Sequence, residues 1–233
     1  MLVSTQNKKV KQLSKLSKRK YRQDNDQYIV FGQTIVNEAV AAGVVKEIFS
    51  TSKQERYDVT SVSEEVMHKI VGEANTKIVA LCEMKQTQFD DGSTLVLDNI
   101  QDPGNLGTMI RSAKAFGINN IFLGTGTVDL YNAKVLRSMQ GVNYHVNIDQ
   151  GDIEQYLENS SNKLITTFLD EPSTSISALD KSSAFDIMFG NEGHGLNPKF
   201  KKFERQNIVL DIEFESLNVA IAAGIIMYNL REK

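Results

Sequence analysis

Residues 95–123 read LVLDNIQDPGNLGTMIRSAKAFGINNIFL, and the fold is decided there. Residues 95–97 are a short apolar strand that stops at Asp98. A Pro103-Gly104 turn follows, with Asn105 as the expected cap of a helix over 106–116. Leu106, Met109, Ile110, Ala113 and Phe116 share one face of that helix, and residues 121–123 return to strand. A short apolar strand, an amphipathic helix and a second apolar strand form a β-α-β unit, so the expectation is an α/β fold with a parallel sheet covered on both faces.

The same alternation continues outward. Downstream, 131–140 is expected as helix, and 142–148, 164–169, 187–189 and 208–212 as strands. A terminal helix over 217–230 carries Val219, Ile221, Ala222, Ile225, Ile226 and Tyr228 around much of its circumference, which marks it as buried on several sides. Upstream, Val10, Leu13 and Leu16 fall at helical spacing. Strands are expected at 28–31, 44–49, 59–62 and 78–81, with a helical stripe of Ile35, Val36, Ala39 and Val40 ending at Gly43. Ser63 is placed to cap a helix whose first turn holds Glu64 and Glu65. Residues 84–93, MKQTQFDDGS, are polar and turn-rich and read as a linker. The expected organisation is therefore 1–83, a small α/β domain with a basic arm; 84–93, the linker; and 94–233, a larger α/β domain.

The chain has 233 residues, 41% hydrophobic and 24% charged, as expected of a globular protein. One cysteine, Cys82, excludes an intrachain disulfide scaffold, zinc fingers and iron–sulfur clusters. His68, His145 and His194 are isolated in the sequence, so no metal is expected. No run approaches a membrane span, and the amino terminus has no apolar signal core, which makes the cytoplasm the expected location. The net charge of −3 conceals an asymmetry. Lys8, Lys9, Lys11, Lys15, Lys18, Arg19, Lys20 and Arg22 give the first 23 residues +8 with no acid. The remaining 18 basic residues face all 29 acidic ones, or −11. Clustered cations of this kind bind polyanions, RNA among them, by releasing counterions from phosphates, so these eight are the candidate contacts; a solvated terminus and nuclear targeting are the alternatives.

In parallel sheets ligands bind beyond the carboxyl ends of the strands. Three segments place polar residues there: 98–111, with Asn105 and Arg111; 189–196, FGNEGHGL, with Glu192 among three glycines; and 215–219, ESLNV, opening the last helix. None matches GxGxxG or a P-loop, which excludes those two nucleotide fingerprints.

Together these segments resemble the SpoU (TrmH-like) branch of the SPOUT RNA methyltransferases. The family's N-x-G-x-x-x-R is met by Asn105, Gly107 and Arg111. Its G-x-E-G-x-G is met by Gly190, Glu192, Gly193 and Gly195, and its S-L-N-V by Ser216, Leu217, Asn218 and Val219. The segment KVKQLSKLSKRKYRQ…YIVFG is similar to the opening of the small RNA substrate-binding domain that precedes many SpoU domains, with Phe31 where the family has Glu. Val209 and Ile212 replace the proline and glycine of the family's I-P-x-x-G. Topology rules alone favour an unknotted doubly wound sheet. The resemblance implies instead a trefoil-knotted catalytic domain that binds S-adenosylmethionine and acts as a homodimer. It implies methyl transfer to a ribose 2′-hydroxyl of structured RNA, ribosomal RNA before transfer RNA. A non-catalytic RNA-binding or ribosome-assembly factor on the same fold is the alternative.

By motif position, Arg111, Asn105, Glu192, Ser216 and Asn218 are the expected catalytic group. Leu123, Gly124, Gly190, Asn191, Ile208 and Leu217 are the expected cofactor contacts. A guanidinium scarcely loses its proton, so Arg111 is read as an electrostatic clamp on the developing alkoxide and adjacent phosphate. Asn105 and Glu192 are read as orienting it, with Ser216 and Asn218 holding ribose, phosphate or loop.

Overall fold

The structure is a computed structural model, and it describes residues 1–170, 172–179, 183–213 and 216–231. Two compact units emerge. One comprises Met1–Lys85 together with Asp129–Tyr144; the other comprises Gln86–Val128 and His145–Lys233.

The first unit begins with α1 (Lys8–Lys15), capped by Asn7, whose side chain accepts from the Lys9 N–H at 2.8 Å. Val10, Leu13 and Leu16 are buried, as their spacing requires. The basic segment is thus folded onto a core. A second helix, α2 (Arg19–Asn25), was not anticipated, because its sequence RKYRQDN carries no apolar stripe. Then follow β1 (Gln27–Phe31), α3 (Gln33–Ala41), β2 (Val45–Ser50), β3 (Thr60–Ser61), α4 (Glu64–Val71) and β4 (Ile78–Glu83). Ser63 caps α4 by accepting from the Val66 N–H at 3.2 Å, and Gly72 at φ +68° ends it.

The sheet order is β1-β4-β2-β3. The sequence reading makes this unit α/β and leaves its strand directions open. β4 inserts between β1 and β2 and is antiparallel to both, with Ile29 opposite Leu81 and Phe49 opposite Val79. Alternation of strand and helix along a chain cannot report a later strand slotting between two earlier ones. Val10, Leu13, Phe49, Val66, Ile70 and Val79 form the core on one face, each side chain worth about 1.5–3 kcal/mol on burial.

The second unit opens with β5 (Thr94–Leu97), α5 (Pro103–Ala115) and β6 (Asn120–Gly124). The next helix, α6 (Ala133–Met139), packs into the first unit. Then come β7 (Asn147–Gly151), α7 (Ile153–Asn159), β8 (Lys163–Thr166), β9 (Phe185–Phe189), β10 (Gln206–Asn207) and α8 (Val219–Leu230). The six strands are all parallel in the order β10-β8-β9-β5-β6-β7. β5, β6 and β9 are buried along their whole length, which is why they read as continuous apolar runs.

Several boundaries differ from the sequence expectation. Helix α5 starts three residues early, because Asp102 rather than Asn105 is its cap, accepting from the Asn105 N–H at 2.8 Å with Pro103 in the first turn. Residues 142–144 form a 3-10 turn, and the strand follows at 147–151. The strand expected at 208–212 is only Gln206–Asn207. Asn207 is buried and spends its side chain on Thr166 and on the backbone N–H and carbonyl of Phe168. Helix α7 was also missed; Asp152 caps it and only Ile153 and Leu157 are buried.

Arg22 is a correction to the RNA-binding group. It is 5% exposed, donates from Nη1 to the Leu16 carbonyl at 2.7 Å, and forms an ion pair with Asp129. Its charge completes the C-terminal end of α1 and fastens Asp129–Tyr144 to the first unit. Tyr131 packs on Tyr28 at 4.5 Å between ring centroids, and the hydroxyls of Tyr28 and Tyr144 are 3.2 Å apart. Cys82 lies beside this cluster, and burial pushes its thiol up to about 12, so it is not a nucleophile at neutral pH. Lys8, Lys11, Lys15, Lys18, Arg19 and Lys20 remain exposed, while Lys9 is half-buried and paired with Glu47 at 2.5 Å.

Removing one partner of a buried ion pair strands the other charge. Arg22→Met is therefore expected to cost about 3 kcal/mol in urea unfolding, while Lys11→Ala at an exposed position changes stability by less than about 0.5 kcal/mol. Equal effects of the two substitutions would refute the structural role of Arg22.

Candidate active site

The carboxyl ends of β5 and β9 lie side by side, with Leu97 opposite Phe189. Each strand runs directly into a polar loop, and the loops are pinned together. The Asn191 side chain donates to the Asn99 carbonyl at 2.9 Å, and the Asn197 N–H donates to Asp98 at 2.9 Å. Burial pushes the Asp98 carboxyl up, against the opposing effect of that Asn197 bond. Within the GNEGHG turn, Asn191 and Gly195 exchange two backbone bonds of 3.0 and 2.9 Å. The Asn191 side-chain oxygen also accepts from the N–H groups of Gly193 and His194. A Cβ at Gly190 would lie 2.1 Å from the Gly195 carbonyl carbon, so only glycine fits this crossing of backbone on backbone.

That turn presents Glu192 to the start of α5. One carboxylate oxygen accepts from the Asn105 side-chain amide and the Asp102 N–H, both at 3.1 Å; the other accepts from the Gln101 N–H at 3.3 Å. Partial burial raises the Glu192 pKa. The hydrogen bonds from its own N–H, Asn105, Asp102 and Gln101 outweigh it and hold the carboxyl below its ordinary value of 4.5. The Asn105 oxygen in turn accepts from the Asn218 side chain at 3.0 Å. Asn218 caps α8 with its own oxygen, accepting from Ala220 and Ile221 N–H groups at 2.9 and 3.3 Å. Three of the expected catalytic residues therefore form one hydrogen-bonded chain. Arg111 stands on α5 six residues beyond Asn105 and is exposed. Ser216 lines the adjacent cavity; Glu215, quoted with it above, lies outside the described residues.

The cavity measures about 550 Å³, within the range of small-ligand sites. Of the expected cofactor contacts, Gly190, Asn191, Ile208 and Leu217 line it, and Glu192 borders it. Leu123 and Gly124 do not. They end β6 as buried residues, and a Cβ at Gly124 would strike the Ile153 side chain at 2.4 Å, so this glycine is explained by packing. Residues that motif reading passed over also contribute: Leu196 and Ile226 add apolar wall, while Asp170 and Lys201 form an ion pair of 2.7 Å at its margin. Only their neighbourhood in space, absent from the spacing of the sequence, marks them. Val209 and Ile212, where the family has proline and glycine, both line the cavity, so those departures leave it open. Apolar walls for a base, exposed loop backbone for its edge and sugar, and charged groups at one margin fit S-adenosylmethionine. No group of three or more metal-ligating side chains occurs among the described residues.

The family model described as the SpoU rRNA Methylase family matches residues 92–228, and that of the MRM3-like substrate binding domain matches residues 7–80. The 23S rRNA (guanosine(2553)-2′-O)-methyltransferase RlmP of Bacillus subtilis is 32% identical over 98% of each chain. An uncharacterized tRNA/rRNA methyltransferase of Synechocystis is 30% identical over 100% of this chain and 93% of its own. Among solved structures, the AdoMet-bound rRNA methyltransferase from Sinorhizobium meliloti gives a TM-score of 0.87 at 24% identity, covering 98% of this chain and 96% of that one. A TrmH-family protein from Porphyromonas gingivalis gives 0.82 at 27% identity, with 99% and 98% covered.

Because the Glu192 carboxyl is held low in the folded chain, its contribution to stability is complete above pH 4.5 and is lost as pH falls through the lowered value. The melting temperature of Glu192→Gln is expected to lie below that of the wild type by a constant margin at neutral pH. That margin should shrink below pH 4.5; one unchanged down to pH 3 would contradict the assignment.

Proposed function

The chain belongs to the SpoU rRNA methylase family, and on that premise we propose that it transfers the methyl group of S-adenosylmethionine to a ribose 2′-hydroxyl of ribosomal RNA. The observation that carries this reading is the Glu192–Asn105–Asn218 chain set at the rim of a cofactor-sized cavity. The names of the relatives, among them RlmP and the 23S rRNA (guanosine-2′-O-)-methyltransferase RlmB of Coxiella burnetii, support ribosomal over transfer RNA.

When bound, the cofactor supplies an electrophilic methyl on a sulfonium. The chain's own work is to hold and polarise the acceptor. Gly190, Ile208 and Leu217 would bound the cofactor. Arg111 would face the ribose and its adjacent phosphate. Its permanent charge would stabilise the alkoxide as the 2′-oxygen loses its proton to phosphate or solvent. Glu192, ionised throughout, would fix the start of α5 through Gln101, Asp102 and Asn105 rather than exchange a proton. Asn218 and Ser216 would hold the third loop against the ribose.

The small domain over 1–83 would capture RNA through Lys8, Lys9, Lys11, Lys15, Lys18, Arg19 and Lys20, and 94–233 would carry the reaction. The trefoil knot of the family is part of this proposal. It is supported by the course of the chain from central β9 to edge β10 and back to pack α8 on α5. A homodimer is supported by Leu217, Ile221, Ile225 and Tyr228, which are 40–55% exposed at spacings of four, four and three. A cytoplasmic location is part of the same proposal, supported by the ribosomal RNA named for the relatives; no helix among the described residues is long and apolar enough to cross a membrane.

Arg111→Ala is expected to lower the rate of methyl transfer to ribosomal RNA by roughly 10²–10³-fold. Calorimetry should still find S-adenosylmethionine bound by the variant. A variant that retained its turnover would sink the role of Arg111, and a wild-type protein that bound no cofactor would favour a non-catalytic RNA-binding factor. Ile221→Glu should convert a sedimenting dimer to monomer; a wild type already monomeric at micromolar concentration would remove the dimer.

A further inference from the structure

The first unit contains a groove of about 520 Å³ that the motifs do not mark. Its apolar floor comes from Leu13 and Leu16 at the end of α1 and from Leu81 on β4. Tyr21 of α2 lines the groove beside that floor, half-buried and packed against the same core. Three amides border it: Gln12, Asn25 and Gln27. Asn25 donates to the Tyr21 carbonyl at 2.7 Å, which fixes the amide and leaves its oxygen as an acceptor. Gln12 and Gln27 make no side-chain hydrogen bond to any described residue. Lys9, Lys15 and Lys46 surround the opening; Lys9 pairs with Glu47 and Lys46 with Glu83, which leaves Lys15 as the cation with no acidic partner here among the described residues.

The combination is selective. A purely electrostatic phosphate surface needs the lysines and nothing else. An apolar protein contact needs the leucines without three amides around them. An aromatic face above an apolar floor, amides that both donate and accept, and cations at the edge together match one splayed nucleotide, whose base stacks, whose edge is read and whose phosphate is neutralised. In a duplex the base faces are already stacked and would leave Tyr21 unused. Lys15 Nζ now rests 5.3 Å from the centre of the Tyr21 ring. An exposed cation–π contact is weaker than base–aromatic stacking, so a base displaces this long side chain.

The geometry points to a subsite in the small unit for a single unpaired nucleotide of the RNA substrate, stacked on Tyr21 and read by Gln12, Asn25 and Gln27. It rests on the methyltransferase reading, which supplies RNA as the ligand, and it adds a specificity element outside the catalytic site.

The test uses the full-length chain, fluorescein-labelled homopolymeric RNA 12-mers and a blunt RNA duplex of the same length, by anisotropy at fixed salt. Tyr21→Leu preserves packing while removing the aromatic face. It is expected to weaken single-strand binding roughly five- to 150-fold and to leave duplex binding within about twofold, with Tyr21→Phe within about twofold of wild type on both. Gln12→Ala, at an exposed position where folding is not at stake, should change the order of preference among the homopolymers. Single-strand binding by Tyr21→Leu equal to wild type, or an equal loss on duplex, overturns the subsite. Displacement of RNA by polyglutamate at equal charge concentration would assign the groove to acidic peptides and overturn it as well. Calorimetry of the wild type with S-adenosylmethionine reads the methyltransferase assignment separately, so failure of one is distinguishable from failure of the other.

Discussion

One carboxylate holds together segments of chain that lie far apart in sequence. Glu192 takes its hydrogen bonds from residues 87 to 91 positions earlier, and Asn105 relays the connection to Asn218, 113 positions later. Each group in this chain satisfies a second demand at the same time. Asp102, which donates to Glu192, caps α5; Asn218, which donates to Asn105, caps α8. Because backbone N–H groups at helix starts have no partner within the helix, this arrangement uses them to position side chains. The cavity beside it keeps its shape because Gly190 lets the backbone of the turn close on itself with no room for a side chain.

Much of the larger unit was legible because its strands are buried on both faces and so appear as unbroken apolar runs, as in residues 95–97 and 187–189. What was misread follows from features that composition does not encode. Strand β10 holds a buried Asn207 whose partners lie about forty residues away, so its sequence does not look like a strand. Asn105 looked like a cap because Asn is a good one, yet Asp102 with Pro103 behind it is placed better, which frees the Asn105 side chain for Glu192. The antiparallel insertion of β4 leaves no local trace at all. In the site, Glu192, Asn105 and Asn218, which motif spacing grouped, meet in one hydrogen-bonded chain, whereas Leu123 and Gly124, expected beside the cofactor, do not line the cavity.

Charge shows the same limit. Among eight cations in the first 23 residues, sequence gives no means of separating Arg22 from its neighbours. Burial does so: Arg22 serves a helix end and an ion pair, whereas Lys8, Lys11, Lys18, Arg19 and Lys20 face solvent on short helices fixed to a core. Cations on a folded surface meet a phosphate backbone at set distances, as a loose tail does not. That difference converts a compositional excess of charge into a shaped surface.

The first unit is discontinuous in the chain, and its second piece, Asp129–Tyr144, is held by Arg22, Tyr28 and the buried contacts around them. The polypeptide therefore passes between the units three times, at 85–86, 128–129 and 144–145. A chimera that exchanges amino-terminal segments by one junction within 84–93 would graft a foreign surface onto an α6 segment shaped for another host. Exchange of the first unit as a working whole therefore requires both of its pieces, Met1–Lys85 and Asp129–Tyr144, to move together.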